Sequence, residues 1–132
     1  MIEQTNKRRI LHVDDEKDVL HVVKLILEKE GLDVVSTTVG KRALRLALLN
    51  DYDLVILDVM MPGMCGWNVF TKLSKHKPLQ KIMYMTALQA DNELLHKLKH
   101  DGVVDYILKP FDRIDLITRV KQIIDKQEAP LC

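Results

Sequence analysis

Residues 54–63 read LVILDVMMPG, and this stretch decides the fold. An uninterrupted apolar run rich in β-branched residues is typical of a strand buried on both faces, as in a parallel sheet. Asp58 ends that run, and a carboxylate that is buried without a partner costs several kcal/mol. We therefore expect Asp58 to lie where the strand opens into a crevice, and to have partners there.

Length and composition favour one domain with its own core. The chain has 132 residues, of which 47% are hydrophobic. Its 20 basic and 19 acidic residues leave a net charge of +1, which gives no support for nucleic-acid or membrane binding through bulk charge. The two cysteines cannot form a disulfide framework. Since neither a signal-peptide pattern nor a run of about 18 apolar residues is present, we expect a cytoplasmic protein that is not in a membrane.

The chain alternates strand patterns with helix patterns. Predicted strands cover about residues 10–13, 33–38, 54–58, 81–86 and 105–109, and predicted helices about 17–29, 41–50, 66–75, 90–100 and 113–126. Five such units with short loops predict an α/β fold, in which helices cover both faces of one parallel sheet. The second strand is the least apolar and is expected at an edge. We expect a single domain over residues 1–132, with its core at about 7–127.

Polar residues at the strand ends point to a site. Right-handed crossovers place the carboxyl ends of all parallel strands at one rim of the sheet. The residues expected there are Asp14 and Asp15, Asp58, Thr86 and Lys109. Taken singly, Asp14 and Asp15 are typical of a helix N-cap, and Thr86 is typical of a loop start. Their conjunction at one rim favours a functional site.

The charges at this rim favour phosphoryl chemistry with a metal. Three carboxylates repel one another by about 4 kcal/mol per pair at about 4 Å and an effective dielectric of about 20, unless one holds a proton. Three acids and one lysine sum to −2, which a divalent cation such as Mg²⁺ would cancel. Asp58 is then the candidate nucleophile, and Asp14 and Asp15 are candidate metal ligands. Lys109 and Thr86 are candidates to bind the phosphoryl oxygens.

Four motifs around these residues resemble the receiver domain of two-component response regulators, of the chemotaxis-regulator type. They are VDDE at 13–16, LDVMMPGMCG at 57–66, MTA at 85–87 and DYILKPF at 105–111. The resemblance covers nearly the whole chain. It implies a flavodoxin-like (βα)5 fold, a doubly wound five-stranded parallel sheet with strand order 2-1-3-4-5.

The resemblance also implies a phosphoacceptor function. Asp58 would accept a phosphoryl group from a phosphohistidine of a sensor histidine kinase or a histidine phosphotransfer protein. Asp15, Asp58 and the Met60 backbone carbonyl would bind Mg²⁺ (or Mn²⁺), with Asp14 acting through water. Lys109 would hold the phosphoryl group. Such a domain is not an enzyme beyond self-catalysed phosphotransfer and slow autodephosphorylation.

The same resemblance implies a conformational switch. Thr86 would turn toward the phosphoryl group and Tyr106 would swing inward, which remodels the face of the fourth helix, fifth strand and fifth helix. That face is a candidate homodimer contact, and Val104 is a candidate exposed apolar residue on it. Pro110 would follow a cis peptide bond. We expect no direct nucleic-acid binding by this domain.

Alternatives remain at this point. Cys65 departs from the family pattern and is expected to be an inert thiol. A docking module that is never phosphorylated, and a phosphohydrolase of the haloacid dehalogenase type, are the competing functions. The hydrolase would need a second Asp where Met60 stands. The polar start at Met1 predicts an N-terminal receiver, whether alone or followed by an effector domain.

Overall fold

The computed structural model describes residues 7–59, 66–87 and 105–125. The strands are β1 (Arg9–Val13), β2 (Asp33–Thr37), β3 (Leu54–Asp58), β4 (Ile82–Thr86) and β5 (Asp105–Leu108). The described helices are α1 (Lys17–Lys29), α2 (Gly40–Leu49), α3 (Gly66–His76) and α4 (Arg113–Asp125). The strands form one parallel sheet in the order β2-β1-β3-β4-β5. The predicted fold class and strand order are confirmed.

Each described element begins and ends within one residue of its predicted bounds. Helix α1 is followed by Gly31, whose φ of +83° lies in the left-handed region that glycine tolerates without strain. The predicted cis peptide bond lies between Lys109 and Pro110, directly after β5. The helix predicted at about residues 90–100 lies outside the described residues.

The core has two parts, one on each face of the sheet. On one face, β-strand residues such as Leu57 and Tyr84 pack with α2 and α3. On the other face, residues such as Ile56 and Met83 pack with α1 and α4. All five residues of β3 and all five of β4 are buried, as the apolar run at 54–58 predicts. The sheet is therefore covered on both sides, and β2 is an edge strand as predicted.

The alternation of side chains along a strand explains which rim residues meet. Asp14, Asp58 and Lys109 follow Ile10, Ile56 and Ile107 by an even number of residues, and those isoleucines belong to the cluster that packs against α1 and α4. The two acids and the lysine therefore leave the sheet on the same face.

Candidate functional site

Lys109 lies at the centre of the acidic rim. Its Nζ atom is 2.7 Å from Asp14 Oδ2, 3.2 Å from Asp58 Oδ2 and 3.4 Å from Glu16 Oε1. The Lys109 side chain is only 10% exposed, that of Asp58 is 7% exposed, and that of Asp14 is fully buried. The structure thus brings the ends of β1, β3 and β5 together, as expected from the parallel sheet.

The lysine is firmly protonated. Burial alone lowers the pKa of Lys109, but its contacts with Asp14 and then Asp58 outweigh that effect, so its pKa is raised above the ordinary value. Its positive charge therefore lies beside two buried carboxylates and the exposed Glu16. Counting these four side chains only, negative charge is in excess, and water screens the two buried carboxylates poorly.

Neither of the first two acids acts as the N-cap of α1. The N-cap residue is Glu16, and no side chain caps it. Instead, Asp14 Oδ1 accepts a hydrogen bond of 2.9 Å from the Glu16 N–H. This bond fixes the Asp14 carboxylate at the start of the β1–α1 loop, while Asp15 is exposed. The simple N-cap interpretation of these two acids is therefore wrong.

The donor set at this rim suits a hard divalent cation. Asp14, Asp15 and Glu16 each offer a carboxylate oxygen, and these atoms lie within 4.8 Å of one another. Asp14 Oδ2 is buried, and Lys109 Nζ contacts it at 2.7 Å. Oxygen ligands of this kind suit Mg²⁺. Of the other predicted ligands, Asp58 lies across Lys109 from Asp14, and Met60 lies outside the described residues.

The predicted switch residues lie on neighbouring strands, Thr86 at the carboxyl end of β4 and Tyr106 as the second residue of β5. Thr86 is 1% exposed, and its backbone carbonyl accepts a 2.8 Å hydrogen bond from the Lys109 N–H. Tyr106 is half-buried against the cluster on the α2–α3 face. Its backbone carbonyl accepts a 3.1 Å hydrogen bond from Arg119 Nη1, which connects β5 to α4. Cys65 and Val104 lie outside the described residues.

Two residues near the site were missed by the sequence analysis. Glu16 belongs to the VDDE motif, but its contact with Lys109 was not predicted. His12 belongs to the predicted strand at 10–13, and it lies two residues before Asp14 and so shares its face. It is fully buried, and burial and then the charge of Lys109 lower its pKa to about 3. His12 is therefore neutral in the folded protein at neutral pH.

An open groove lies beside the rim, between α1 and the segment after β5. Its volume is about 560 Å³. Val22 is 44% exposed on α1 and contributes to the apolar lining, which also includes Phe111. Glu16 and Lys109 line its rim end, so the groove is continuous with the acidic cluster.

Known proteins share this fold and this sequence pattern. The family model described as the response regulator receiver domain matches residues 10–121. The response regulator SaeR of Staphylococcus aureus is 33% identical over 119 residues, which are 90% of this chain and 51% of SaeR. The chain therefore belongs to the receiver domain family of two-component response regulators. It spans about half the length of the curated relatives it matches.

Solved structures agree with this assignment. A CheY-like receiver domain protein from Methanospirillum hungatei has a TM-score of 0.84 and 30% identity, covering 91% of this chain and 95% of that one. The response regulator TrrA of Thermotoga maritima, solved in complex with Mg²⁺-BeF, has a TM-score of 0.78 and 34% identity, covering 88% of this chain and 98% of TrrA.

The family is one of regulatory phosphoacceptor domains rather than conventional enzymes. Among the described helices, none combines the length and the apolar character needed to cross a membrane.

Proposed function

We propose that Asp58 is the phosphoacceptor of this receiver domain and that the donor is a phosphohistidine on a sensor kinase or a phosphotransfer protein. The observation that carries the proposal is the placement of Lys109 Nζ between Asp58, 3.2 Å away, and Asp14, 2.7 Å away. A carboxylate at the end of a buried strand, next to a protonated amine and further acids, suits phosphoryl transfer.

The reaction exchanges one bond to phosphorus for another. A carboxylate oxygen of Asp58 attacks phosphorus and forms a P–O bond, while the P–N bond to the donor histidine breaks and its electron pair returns to the imidazole. Lys109 is placed to neutralise the phosphoryl oxygens, and the buried Thr86 is a candidate hydroxyl donor to them. Hydrolysis later restores the Asp58 carboxylate and releases inorganic phosphate.

A divalent cation fits the remaining charge. Asp14, Asp15 and Asp58 would hold Mg²⁺ (or Mn²⁺), and the predicted fourth contribution is the backbone carbonyl of Met60. When bound, the metal supplies charge neutralisation between the carboxylates and the incoming phosphoryl oxygens. The carboxylate oxygens of Asp14, Asp15 and Glu16 within 4.8 Å of one another support a cation here, and Asp58 joins the proposed set because it shares Lys109 with Asp14.

Phosphorylation of Asp58 would then act as a switch. The added charge changes the balance around Lys109, and Thr86 and Tyr106 are the proposed pair that transmits the change to the outer face. The contact between the Lys109 N–H and the Thr86 carbonyl supports this coupling, because it joins the two strand ends directly.

We place the phosphodonor protein in the groove between α1 and the segment after β5. A partner lying there would contact Lys109 and Glu16. Because Lys109 Nζ lies 3.2 Å from Asp58, the partner's histidine would then approach Asp58. A Val22→Glu variant should react normally with a small phosphodonor and slowly with a phosphorylated protein donor that serves the wild type. Equal rates with the protein donor would place the partner elsewhere.

The phosphoacceptor assignment has a direct test. The chain is incubated with Mg²⁺ and phosphoramidate, and its intact mass is followed with time. The wild type should gain the mass of one phosphoryl group, Asp58→Asn should gain none, and chelation of Mg²⁺ should suppress the gain. Asp53→Asn is the matched control, since Asp53 pairs with Arg8 at the other end of the sheet. A wild type without an adduct, or an unchanged adduct on Asp58→Asn, contradicts the proposal.

Other properties stay predictions. These are a homodimer through the face of the predicted fourth helix, fifth strand and fifth helix, a cytoplasmic location, no direct nucleic-acid binding, and a single domain over residues 1–132.

A further inference from the structure

A buried polar group lies behind the acidic rim, and the proposed chemistry does not use it. His12 is the fourth residue of β1 and is fully buried. Neither of its ring nitrogens has a hydrogen-bond partner among the described residues. Ser36, which lies opposite His12 in β2, has a buried Oγ that also lacks a partner in the described structure. Buried polar atoms are rarely left unpaired, so this group needs an explanation.

The nearby acid is the natural partner of His12. The Nε2 atom of His12 is 4.0 Å from Asp14 Oδ2, which is too long for a hydrogen bond. Asp14 Oδ2 itself contacts Lys109 Nζ at 2.7 Å, and the lysine balances its charge. The His12 imidazole and the Asp14 carboxylate thus lie near each other without a hydrogen bond while Lys109 contacts that carboxylate.

A phosphoryl group on Asp58 would change which of Lys109 and His12 contacts Asp14. It adds oxygens with more negative charge than the carboxylate had, and these attract Lys109 Nζ. As the lysine turns to them, the buried Asp14 Oδ2 loses its cation. The neutral imidazole of His12 carries one N–H donor, and its other nitrogen can accept a hydrogen bond from a hydroxyl such as that of Ser36.

We propose that His12 is a positioning residue for Asp14, whose carboxylate receives a hydrogen bond from His12 Nε2–H when Lys109 turns to a phosphoryl group on Asp58. This inference rests on the proposed function of Asp58. His12 then keeps Asp14 oriented for the metal in the phosphorylated state, although it touches neither metal nor phosphoryl group.

Three substitutions separate the hydrogen bond from packing. His12→Gln keeps an amide N–H near the place of Nε2, His12→Asn moves that N–H toward the place of Nδ1, and His12→Leu removes it at similar volume. Ile10→Val is the matched control, because Ile10 is buried on the same face of β1 and carries no polar group.

The first measurement is the affinity for Mg²⁺ with beryllofluoride in place of the phosphoryl group on Asp58, because the proposed hydrogen bond forms only in that state. Loss of a residue that orients a metal ligand lowers metal affinity by about 10-fold to 100-fold, so the affinity of His12→Leu and of His12→Asn should fall by that factor. His12→Gln should stay near the wild type, as should Ile10→Val. An unchanged affinity in His12→Leu, or an equal fall in His12→Gln, overturns the inference.

The second measurement follows His12 itself by NMR in ¹⁵N-labelled wild-type protein. Beryllofluoride stands in for the phosphoryl group on Asp58. Adding it with Mg²⁺ should shift the His12 Nε2–H resonance downfield and slow its exchange with water. A Lys109→Met variant should show the same signature without beryllofluoride, because Asp14 has then lost its lysine.

The outcomes distinguish the two proposals. A wild type that takes neither phosphoryl group nor beryllofluoride contradicts the function of Asp58. A wild type that is modified normally while the His12 resonance does not move contradicts only the role of His12.

Discussion

Ion pairs lie at both ends of the sheet, but the two ends hold their charges differently. At the amino end, Arg8 pairs with Asp53 at 3.4 Å and Arg9 with Asp33 at 3.8 Å. Each cation there has its own acid, and the four side chains are between 34% and 51% exposed. Such exposed pairs contribute about 0–1 kcal/mol each to stability.

At the carboxyl end, acids outnumber the cation that lies among them in the described part of the chain, and most of the charge is buried. Lys109 lies within 3.4 Å of Asp14, Asp58 and Glu16, and two of these acids are almost completely buried. Basic and acidic side chains that pair one to one at the amino end therefore meet in unequal numbers at the carboxyl end. This difference is the one expected if the carboxyl end receives a cation, as proposed, and four predictions test it.

The largest expected effect is the loss of the shared lysine. Lys109→Ala should lower the free energy of unfolding by about 3 kcal/mol, because it removes the cation that lies beside the buried carboxylates of Asp14 and Asp58. Arg8→Ala, its control at the amino end, should lower it by less than about 1 kcal/mol. Urea unfolding at pH 8 measures both. Equal losses in the two variants would remove the distinction between the ends.

The second effect is a pH dependence of the free energy of unfolding, which His12 causes. Its pKa is lowered from 6.5 to about 3 in the folded protein, mainly by burial. The unfolded chain therefore binds a proton that the folded chain does not, so the His12 contribution to stability is complete above pH 6.5 and is lost as pH falls toward about 3.

The His12→Leu variant has no imidazole at this position, so its unfolded chain does not bind this proton. Between about pH 8 and about pH 5, the wild type should lose about 2 kcal/mol more stability than the variant, at about 1.4 kcal/mol for each pH unit below the unfolded pKa. Urea unfolding of both proteins at the two pH values gives the difference. Parallel pH curves would show that His12 does not titrate on unfolding.

The third effect concerns the metal. Mg²⁺ at about ten times its dissociation constant should stabilise the wild type by about 1.4 kcal/mol. Asp15→Asn should remove this gain with little change in the metal-free protein, because Asp15 is exposed. Thermal unfolding with and without Mg²⁺ tests this, with Asp33→Asn as the control at the amino end. A full gain in Asp15→Asn would exclude Asp15 as a ligand.

The smallest effect lies at the amino end. The Arg9 guanidinium lies 5.1 Å from the centre of the Tyr52 ring, where it makes a cation–π contact. Arg9→Lys keeps the charge and should cost only about 0.5 kcal/mol. A loss of unfolding free energy as large as that of Lys109→Ala, measured by urea unfolding, would mean that the charges at the amino end contribute as much to stability as those at the carboxyl end.

The sequence predicted the fold well because its signals are local. The apolar run at 54–58, the glycine at 31 and the proline at 110 each mark an element boundary through backbone physics. The meeting of Asp14, Asp58 and Lys109 also followed from the sequence, since strand parity and parallel pairing fix where the strand ends lie.

The partners of individual atoms did not follow from the sequence. Which of several acids Lys109 contacts depends on side-chain rotamers and burial, and Glu16 was missed for that reason. His12 left one usable signal, a histidine two residues before an acid on a buried strand. The burial of both His12 ring nitrogens, which have no hydrogen-bond partner among the described residues, depends on how α1 and α4 cover that face of the sheet. The sequence does not specify this packing.

Helix α1 has a further consequence for how such a domain can be re-engineered. Its inner residues, such as Val23 and Leu27, are completely buried against the sheet, whereas Val22 and Leu25 are 44% and 49% exposed. The acids and the lysine come from strand ends and loops instead. If the phosphodonor lies in the groove as proposed, the outer face of α1 would contribute to partner choice without contributing to the phosphoryl chemistry. Substitutions at exposed positions such as Val22 would then change recognition and leave the reaction with a small phosphodonor intact.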